Sequence, residues 1–186
     1  VGTGYNAADV PRLLEMVLTR PHLCSLELHP LTFTGQGGTG FDRHARITTP
    51  DLHAIIERAT DGRIRGDDFV PSPLAHPHCY SVCYLVMLDG GGYVPLARLA
   101  SRRQLLELLG DSLYVEPREP VETLLREVIN ELWVNPDKVP ESERVLATLK
   151  RMLDGMFPPN GAGSSIAERQ RLAERVIKAV YIHAHM

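Results

Sequence analysis

The chain has 186 residues, of which 44% are hydrophobic, and this apolar content is sufficient for a globular core. The formal net charge is −3 and no basic stripe or acidic tail is present, which argues against a nucleic-acid or membrane-surface partner. No apolar run approaches the roughly 20 residues that are needed to span a bilayer. Three cysteines without a secretory pattern indicate thiols or metal ligands in a reducing compartment, so we expect a cytoplasmic protein.

Both ends of the sequence are typical of the interior of a longer protein. The residues from Val1 to Asn6 have the pattern of a strand end that enters a helix-capping loop. At the other end, Val176 and Val180 continue a helical pattern that reaches Met186 without a Gly or Pro stop signal. We therefore expect a fragment of a larger enzyme, and we expect the fragment alone to be inactive.

The first third of the chain alternates helices and strands. Apolar spacing predicts a helix that begins near Val10 and ends at Arg20, followed by a strand over residues 23–31. Thr49 is the predicted cap of a second helix, with Pro50 and Asp51 in its first turn. Such alternation implies crossover connections and a parallel sheet, with ligands at the C-terminal ends of the strands. The predicted fold class is α/β, the C-terminal part of a partial parallel (β/α) barrel followed by a β-hairpin and a helical extension.

The pattern changes at a proline-punctuated linker over residues 69–73, which cannot continue a helix. Two apolar runs, residues 80–88 and 93–99, flank three glycines and predict a hairpin, because glycine supplies the positive φ angles of tight turns. From Ser101 onward the sequence reads as helical, with Ser101 and Gln104 as a capping box and with Ser165 and Glu168 capping the last helix. We therefore expect three segments: residues 1–68 from the barrel, 69–100 as a Cys/His hairpin region, and 101–186 as a helical extension.

The densest group of potential metal ligands lies where the linker enters the hairpin. His76, His78, Cys79 and Cys83 offer imidazoles and thiolates that suit a soft or borderline metal or an iron–sulfur cluster. Alternatively, Cys79 and Cys83 are small core residues on one face of a strand, since free cysteine is often buried. Cys24 is interpreted as a core residue on the same grounds.

Other polar candidates are less specific. Gly2 and Gly4 before a helix could let the backbone approach a ligand, or could simply form a strand-to-helix turn. His29 could point into a barrel mouth or could be a hydrogen-bonded structural residue. His183 and His185 are predicted to lie on different faces of a helix, so the pair is not expected to form a bidentate metal site.

Four segments together resemble one family, the radical S-adenosylmethionine iron–sulfur enzymes of the archaeal tetraether lipid synthase type. These segments are residues 1–6, 26–35, 47–51 and 67–79, and the resemblance weakens in the helical tail. The most specific run is Asp67-Asp68-Phe69-Val70-Pro71-x-Pro73, which leads to His76-Pro77-x-Cys79.

The resemblance implies a four-iron four-sulfur cluster that is held by a CxxxCxxC loop and reduces S-adenosylmethionine to release a 5′-deoxyadenosyl radical. That motif is absent here, since the cysteines are Cys24, Cys79 and Cys83, so the main cluster ligands are expected before Val1. A further cysteine that relatives often carry is replaced by Leu74.

The resemblance further implies that this chain keeps the far wall of the cofactor pocket, formed by Gly2, Gly4, Asn6, His29 and Pro30. It also implies an auxiliary metal or cluster site. The expected ligands of that site are Cys79, His76 and Cys83.

The implied reaction is radical C–C coupling on a lipid or another apolar small molecule, with ferredoxin or flavodoxin as the electron donor. The catalytic residues are unknown. The alternative function is a non-catalytic metal-binding or interaction module.

Overall fold

The computed structural model describes residues 1–32, 40, 42–72, 75–76, 79–110, 112–159 and 164–184. The helices of this part are α1 (Val10–Thr19), α2 (Thr49–Ala59), α3 (Arg102–Leu108), α4 (Glu119–Val134), α5 (Ser142–Met156) and α6 (Ile166–Val176). The strands are β1 (Ser25–Leu28), β2 (Val70–Pro71), β3 (Tyr80–Met87), β4 (Tyr93–Pro95) and β5 (Ile177–His183). The predicted α/β class is confirmed.

The five strands form one open sheet, in the order β1-β5-β3-β2, with β4 paired to β3. Strands β1 and β5 are parallel, with Ser25 opposite Ala179 and Leu28 opposite Ile182. The pairs β2–β3 and β3–β4 are antiparallel. Within the described residues the sheet does not close into a barrel.

The last strand corrects the prediction that everything after Ser101 is helical. Helix α6 ends at Val176, and Ile177–His183 is a strand. Its residues from Ile177 to Ile182 are all buried, so both faces of the strand are covered. A short run that is apolar on both faces has no clear period, and therefore helical and extended patterns could not be separated from the sequence.

Local capping signals place most helix starts correctly. The capping boxes of α3 at Ser101 and of α6 at Ser165 are present, as predicted. In α2 the cap is Thr48 rather than Thr49, because the Thr48 hydroxyl accepts a hydrogen bond from the Asp51 N–H and the Asp51 carboxylate accepts one from Thr48. Helix α1 carries Pro11 in its first turn and ends before Arg20, as predicted.

The predicted hairpin is confirmed, although its second strand is shorter than residues 93–99. Strands β3 and β4 are joined by a turn in which Gly90, Gly91 and Gly92 all have positive φ. The Leu88 N–H donates to the Gly92 carbonyl, and the Gly91 N–H donates back to Leu88, so the turn is closed by two hydrogen bonds of 3.0 Å. After Pro95 the chain forms a 3₁₀ turn instead of extending the strand.

The chain divides into two compact units, residues 1–83 with 179–186 and residues 84–178. In the first unit, α1 packs against α2, with Leu14, Leu52 and Ile56 at most 1% exposed. Each such side chain contributes about 1.5–3 kcal/mol to stability through its removal from water.

The second unit joins the hairpin turn to the helices that follow it. Arg144 on α5 donates to the carbonyls of Asp89 and Gly91 at 2.7 and 2.6 Å, respectively. The core of this unit is formed by α4, α5 and α6, where Val128, Leu149 and Met152 are buried. None of the helices in the described part of the chain is both long and apolar enough to cross a membrane.

Some predictions fall on residues outside the described part. They are the glycine loop at Gly35, Gly37 and Gly38, the linker residues Pro73, Leu74, Pro77 and His78, the loop at residues 160–163, and His185. The prediction for Cys24 is also wrong, because this residue is exposed rather than in the core. It precedes the first residue of β1, where the alternation of buried side chains has not yet begun.

Candidate functional site

Two parallel strands of the first unit end at the same edge of the sheet. The register of β1 and β5 pairs Glu27 with Tyr181 and Leu28 with Ile182. His29 and His183 are the next residues along each strand direction. Since alternate residues of a strand share a face, Glu27, His29, Tyr181 and His183 are expected on one face of the sheet.

Glu27, His29 and His183, which we call the Glu/His group, form a compact set of potential metal ligands. One ligand atom from each of the three lies within 4.8 Å of the others. Glu27 Oε1 lies 3.2 Å from His29 Nε2 and 3.6 Å from His183 Nδ1. The two imidazole ring centres are 5.1 Å apart. This arrangement brings one carboxylate and two imidazoles to the C-terminal ends of parallel strands, where α/β folds bind ligands.

Two tyrosines pack beside the Glu/His group. The Tyr80 ring meets the His183 ring edge-on, with the ring centres 4.9 Å apart. Tyr80 also lies 5.9 Å from Tyr181, which is buried in β5. The Ala184 N–H donates to the Cys79 carbonyl at 2.7 Å, so the backbone next to His183 is hydrogen-bonded to the backbone next to Tyr80. These contacts limit the orientations that are open to His183.

The loop at residues 1–6 lies next to His29 and Pro30, and the role of these residues as the wall of a ligand pocket stays a prediction. The Leu31 N–H donates to the Val1 carbonyl at 2.8 Å, and the Val1 amino group donates to the His29 carbonyl. Pro30 is buried and His29 is exposed. Three of the five residues expected to bind the cofactor, Gly2, Gly4 and Asn6, come from this loop. The other two are His29 and Pro30.

Most of the backbone N–H groups in this loop are already paired. The Gly2 N–H donates to the Asn6 side-chain oxygen at 3.1 Å, and the Gly2 carbonyl accepts from the N–H groups of Tyr5, Asn6 and Ala7. A side chain at Gly2 would lie 3.1 Å from the Tyr5 ring, so Gly2 is tightly packed. At Gly4, φ is +77° and a side chain would meet no atom within 4 Å. Gly4 is therefore the glycine that leaves open surface for a ligand.

The metal ligands predicted at the hairpin entrance differ from the Glu/His group in their burial and in their spacing. Cys83 lies in β3 and has no exposed surface, Cys79 is half-buried, and His76 is exposed. The Cys79 N–H donates to the His76 carbonyl at 2.8 Å, so these two residues form a turn. Among the described residues, Cys79, His76 and Cys83 do not form a compact ligand set, and His78 lies outside this part of the chain. The site at the hairpin entrance remains a prediction.

Sequence reasoning missed two members of the Glu/His group. The pattern predicts only a strand residue at Glu27, and it predicts His183 on a helix, where it does not form a bidentate site with His185. A signal was present, because Leu26-Glu27-Leu28-His29 alternates apolar and polar residues, and Val180-Tyr181-Ile182-His183 repeats that alternation. In β1 this alternation is typical of a half-buried strand, whereas in β5 the apolar residues that precede Tyr181 obscure it.

No known family profile matches the chain. The chain is 25% identical over 108 residues to the 7,8-dihydro-6-hydroxymethylpterin dimethyltransferase of Methanocaldococcus jannaschii, a match that covers 47% of this chain and 21% of that protein. The chain thus spans about one fifth of the length of the curated relative that it matches. A distant relative of the chain is therefore an enzyme.

Proposed function

We propose that this chain is part of a radical S-adenosylmethionine iron–sulfur enzyme. The observation that carries the proposal is the meeting of the loop at residues 1–6 with His29 and Pro30 beside the C-terminal end of β1. Ligands of α/β folds bind at this end of the strands. The similarity to the pterin dimethyltransferase supports a relationship to this class of enzymes, whereas closeness to the tetraether lipid synthases rests on the sequence resemblance alone.

The residues of the loop suit one side of an S-adenosylmethionine pocket. Gly4 offers uncovered backbone, and the Asn6 amide has hydrogen-bonding capacity beyond the single bond that it accepts from Gly2. His29 is exposed at the same edge and adds a polar ring. When it is bound and reduced by one electron, S-adenosylmethionine supplies a 5′-deoxyadenosyl radical; the role of this chain is to orient the cofactor and exclude water.

The main iron–sulfur cluster does not fit the residues of this chain. Its three cysteines are not arranged as CxxxCxxC, so the cluster that reduces the cofactor would be held by another part of the intact protein. Cys79, with His76 or Cys83, would contribute to an auxiliary metal or cluster site at the hairpin entrance. Because Cys83 has no exposed surface, Cys79 is the more accessible thiol of this set.

The substrate is proposed to be a small molecule. An apolar lipid chain that undergoes C–C coupling follows from the tetraether synthase resemblance, and a pterin follows from the name of the relative. Ferredoxin or flavodoxin would supply the electron, and the expected location is the cytoplasm. Product analysis with each substrate class separates the two candidates.

The proposal is tested with the intact protein, reconstituted anaerobically with iron and sulfide. Incubation with S-adenosylmethionine and a strong one-electron reductant should yield 5′-deoxyadenosine. Asn6→Ala should raise the S-adenosylmethionine concentration required for half-maximal rate, while the exposed control His22→Asn should not. Absence of 5′-deoxyadenosine from a protein that has incorporated iron would contradict the proposal.

The auxiliary site is tested by the iron content of cysteine variants of the same reconstituted protein. Cys79→Ala and Cys83→Ala should lose iron and change the Mössbauer spectrum, because the metal holds its thiolate ligands deprotonated. Cys24→Ala is the matched control and should retain the iron of the parent. If all three variants keep the parent iron content, the hairpin cysteines are packing residues.

A second candidate function is a non-catalytic metal-binding or interaction module. It is favoured by the Glu/His group, which gathers three ligand-type side chains without any cysteine. Under this alternative the intact protein binds a metal ion but does not cleave S-adenosylmethionine. The cleavage assay therefore separates the two functions.

A further inference from the structure

The Glu/His group has the spacing of side chains that share one metal ion. Metal–nitrogen and metal–oxygen bonds of 2.0–2.2 Å in a tetrahedral site place ligand atoms about 3.3–3.6 Å apart. Glu27 Oε1 lies 3.2 Å from His29 Nε2 and 3.6 Å from His183 Nδ1, so two of the three separations already match. The ligand atoms of the remaining pair, the two imidazoles, lie within 4.8 Å of each other and must come closer to share one ion.

We propose that Glu27, His29 and His183 bind a first-row divalent transition metal ion, such as Zn²⁺ or Fe²⁺. Imidazole nitrogen suits these ions better than it suits Mg²⁺ or Ca²⁺, which prefer all-oxygen ligand sets. Two imidazoles and one carboxylate form a three-ligand set of the kind that holds catalytic zinc or non-haem iron and leaves coordination positions open.

The exposure of the three residues indicates an accessible site. The side chains of Glu27, His29 and His183 are 45%, 49% and 31% exposed, respectively. A structural zinc site is closed by four protein ligands, whereas here the remaining positions face solvent. The ion would therefore be exchangeable and could bind a water molecule or an oxygen atom of a small-molecule ligand.

The backbone holds the ligands in place before any ion binds. Glu27 belongs to β1 and His183 is the last residue of β5, so the hydrogen bonds of a parallel strand pair set the distance between them. Tyr80 packs against the His183 ring and restricts its rotation. Ligands on strands are positioned more accurately than ligands on loops, which reduces the entropy lost on binding.

A simple ion pair is the alternative interpretation of these distances. Glu27 beside two imidazoles would attract them if they were protonated, and an exposed pair of this type contributes little to stability. The two interpretations differ in their response to metal ions. The proposal does not depend on the proposed radical chemistry, because none of the three residues is a cysteine and no cluster takes part.

The test is a Co²⁺ titration of the chelator-treated intact protein before any iron–sulfur reconstitution. Cobalt bound to nitrogen and oxygen gives weak visible bands, while thiolate ligation adds strong near-ultraviolet charge-transfer absorption. The expected result is one bound equivalent with visible bands and without that charge-transfer absorption. The spectrum thereby distinguishes this group from a site at Cys79 or Cys83.

The variants Glu27→Gln and His183→Asn should weaken Co²⁺ binding at least about tenfold, since even the loss of an outer-shell partner weakens metal binding by that factor. His22→Asn and Glu15→Gln are exposed controls outside the group and should bind as the parent does. Circular dichroism of each variant verifies that it is folded.

Parent-like binding by both folded ligand variants would overturn the proposal, as would an absence of binding by the parent. A spectrum with thiolate charge transfer that disappears in Cys79→Ala would assign the metal to the hairpin entrance instead. Failure of the S-adenosylmethionine cleavage assay has no bearing on this titration, so the two proposals can fail separately.

Discussion

His53 is a half-buried histidine whose environment opposes its protonation. It lies in α2 with its ring 4.3 Å from the ring of Phe69, and Gly66 packs against it. Its Nε2 atom is buried and has no hydrogen-bond partner among the described residues. Desolvation lowers the pKa of His53 below its ordinary value of 6.5, because burial disfavours the charged imidazolium.

This shift predicts acid sensitivity. Since the folded-state pKa is below the unfolded value, the unfolded chain takes up the proton first, and the free energy of unfolding falls as the pH drops through about 6.5. His53→Leu should remove this contribution, so its stability should fall less than that of the parent between about pH 7 and pH 5.

Urea unfolding of both proteins at several pH values measures the difference. His22→Leu, at an exposed histidine, is the matched control and should retain the pH dependence of the parent. Parallel curves for the parent and His53→Leu would show that His53 titrates normally in the folded state.

At the scale of single elements, α5 and α6 approach each other closely at Gly155. A Cβ atom added to Gly155 would overlap with the Leu172 Cδ2 atom on α6. Glycine inside a helix costs about 1 kcal/mol relative to alanine, so its presence here is explained by packing rather than by helix propensity. The sequence alone indicates only a helix with an unfavourable glycine.

A double-mutant cycle tests this contact. In the parent, Gly155→Ala should not raise the free energy of unfolding, because the overlap with the Leu172 side chain offsets or exceeds the gain of about 1 kcal/mol from helix propensity. In the Leu172→Ala background the same change should raise stability by about 1 kcal/mol, through helix propensity alone. Urea denaturation of the four proteins gives the coupling energy, and equal effects in both backgrounds would refute the overlap.

At the scale of the whole molecule, β1 is the terminal strand of the sheet order, and β5 is its one sheet neighbour within the described residues. A strand of a closed parallel barrel is paired on both sides. An unpaired edge exposes backbone groups that can pair with another chain. That the chain is one part of a larger fold stays a prediction.

We therefore predict that the chain alone is inactive and weakly stable. It should give no 5′-deoxyadenosine under conditions in which the intact protein does, because its cysteines do not form the cluster motif. It should also associate as its concentration rises, through the edge of β1. Sedimentation velocity and thermal unfolding measure this behaviour, and a monomer with a cooperative transition at high temperature would contradict the prediction.

The sequence by itself determined the α/β class, the hairpin, the capping boxes at Ser101 and Ser165, and the end of α1 near Arg20. These features depend on local spacing: a cap requires a side chain three residues from its partner, and a tight turn requires glycine. Residues that are close together in the chain are therefore enough to specify these caps and turns.

Only the tertiary structure decided that residues 177–183 form a strand and that this strand lies parallel to β1. The Glu/His group depends on that pairing, because Glu27 and His29 come from one end of the sequence and His183 from the other. A run that is apolar on both faces has no distinct period, and the register between distant strands is set by their joint burial. No local pattern specifies which distant partner a strand will pair with, so the carboxylate and the two imidazoles could be brought together only by the folded sheet.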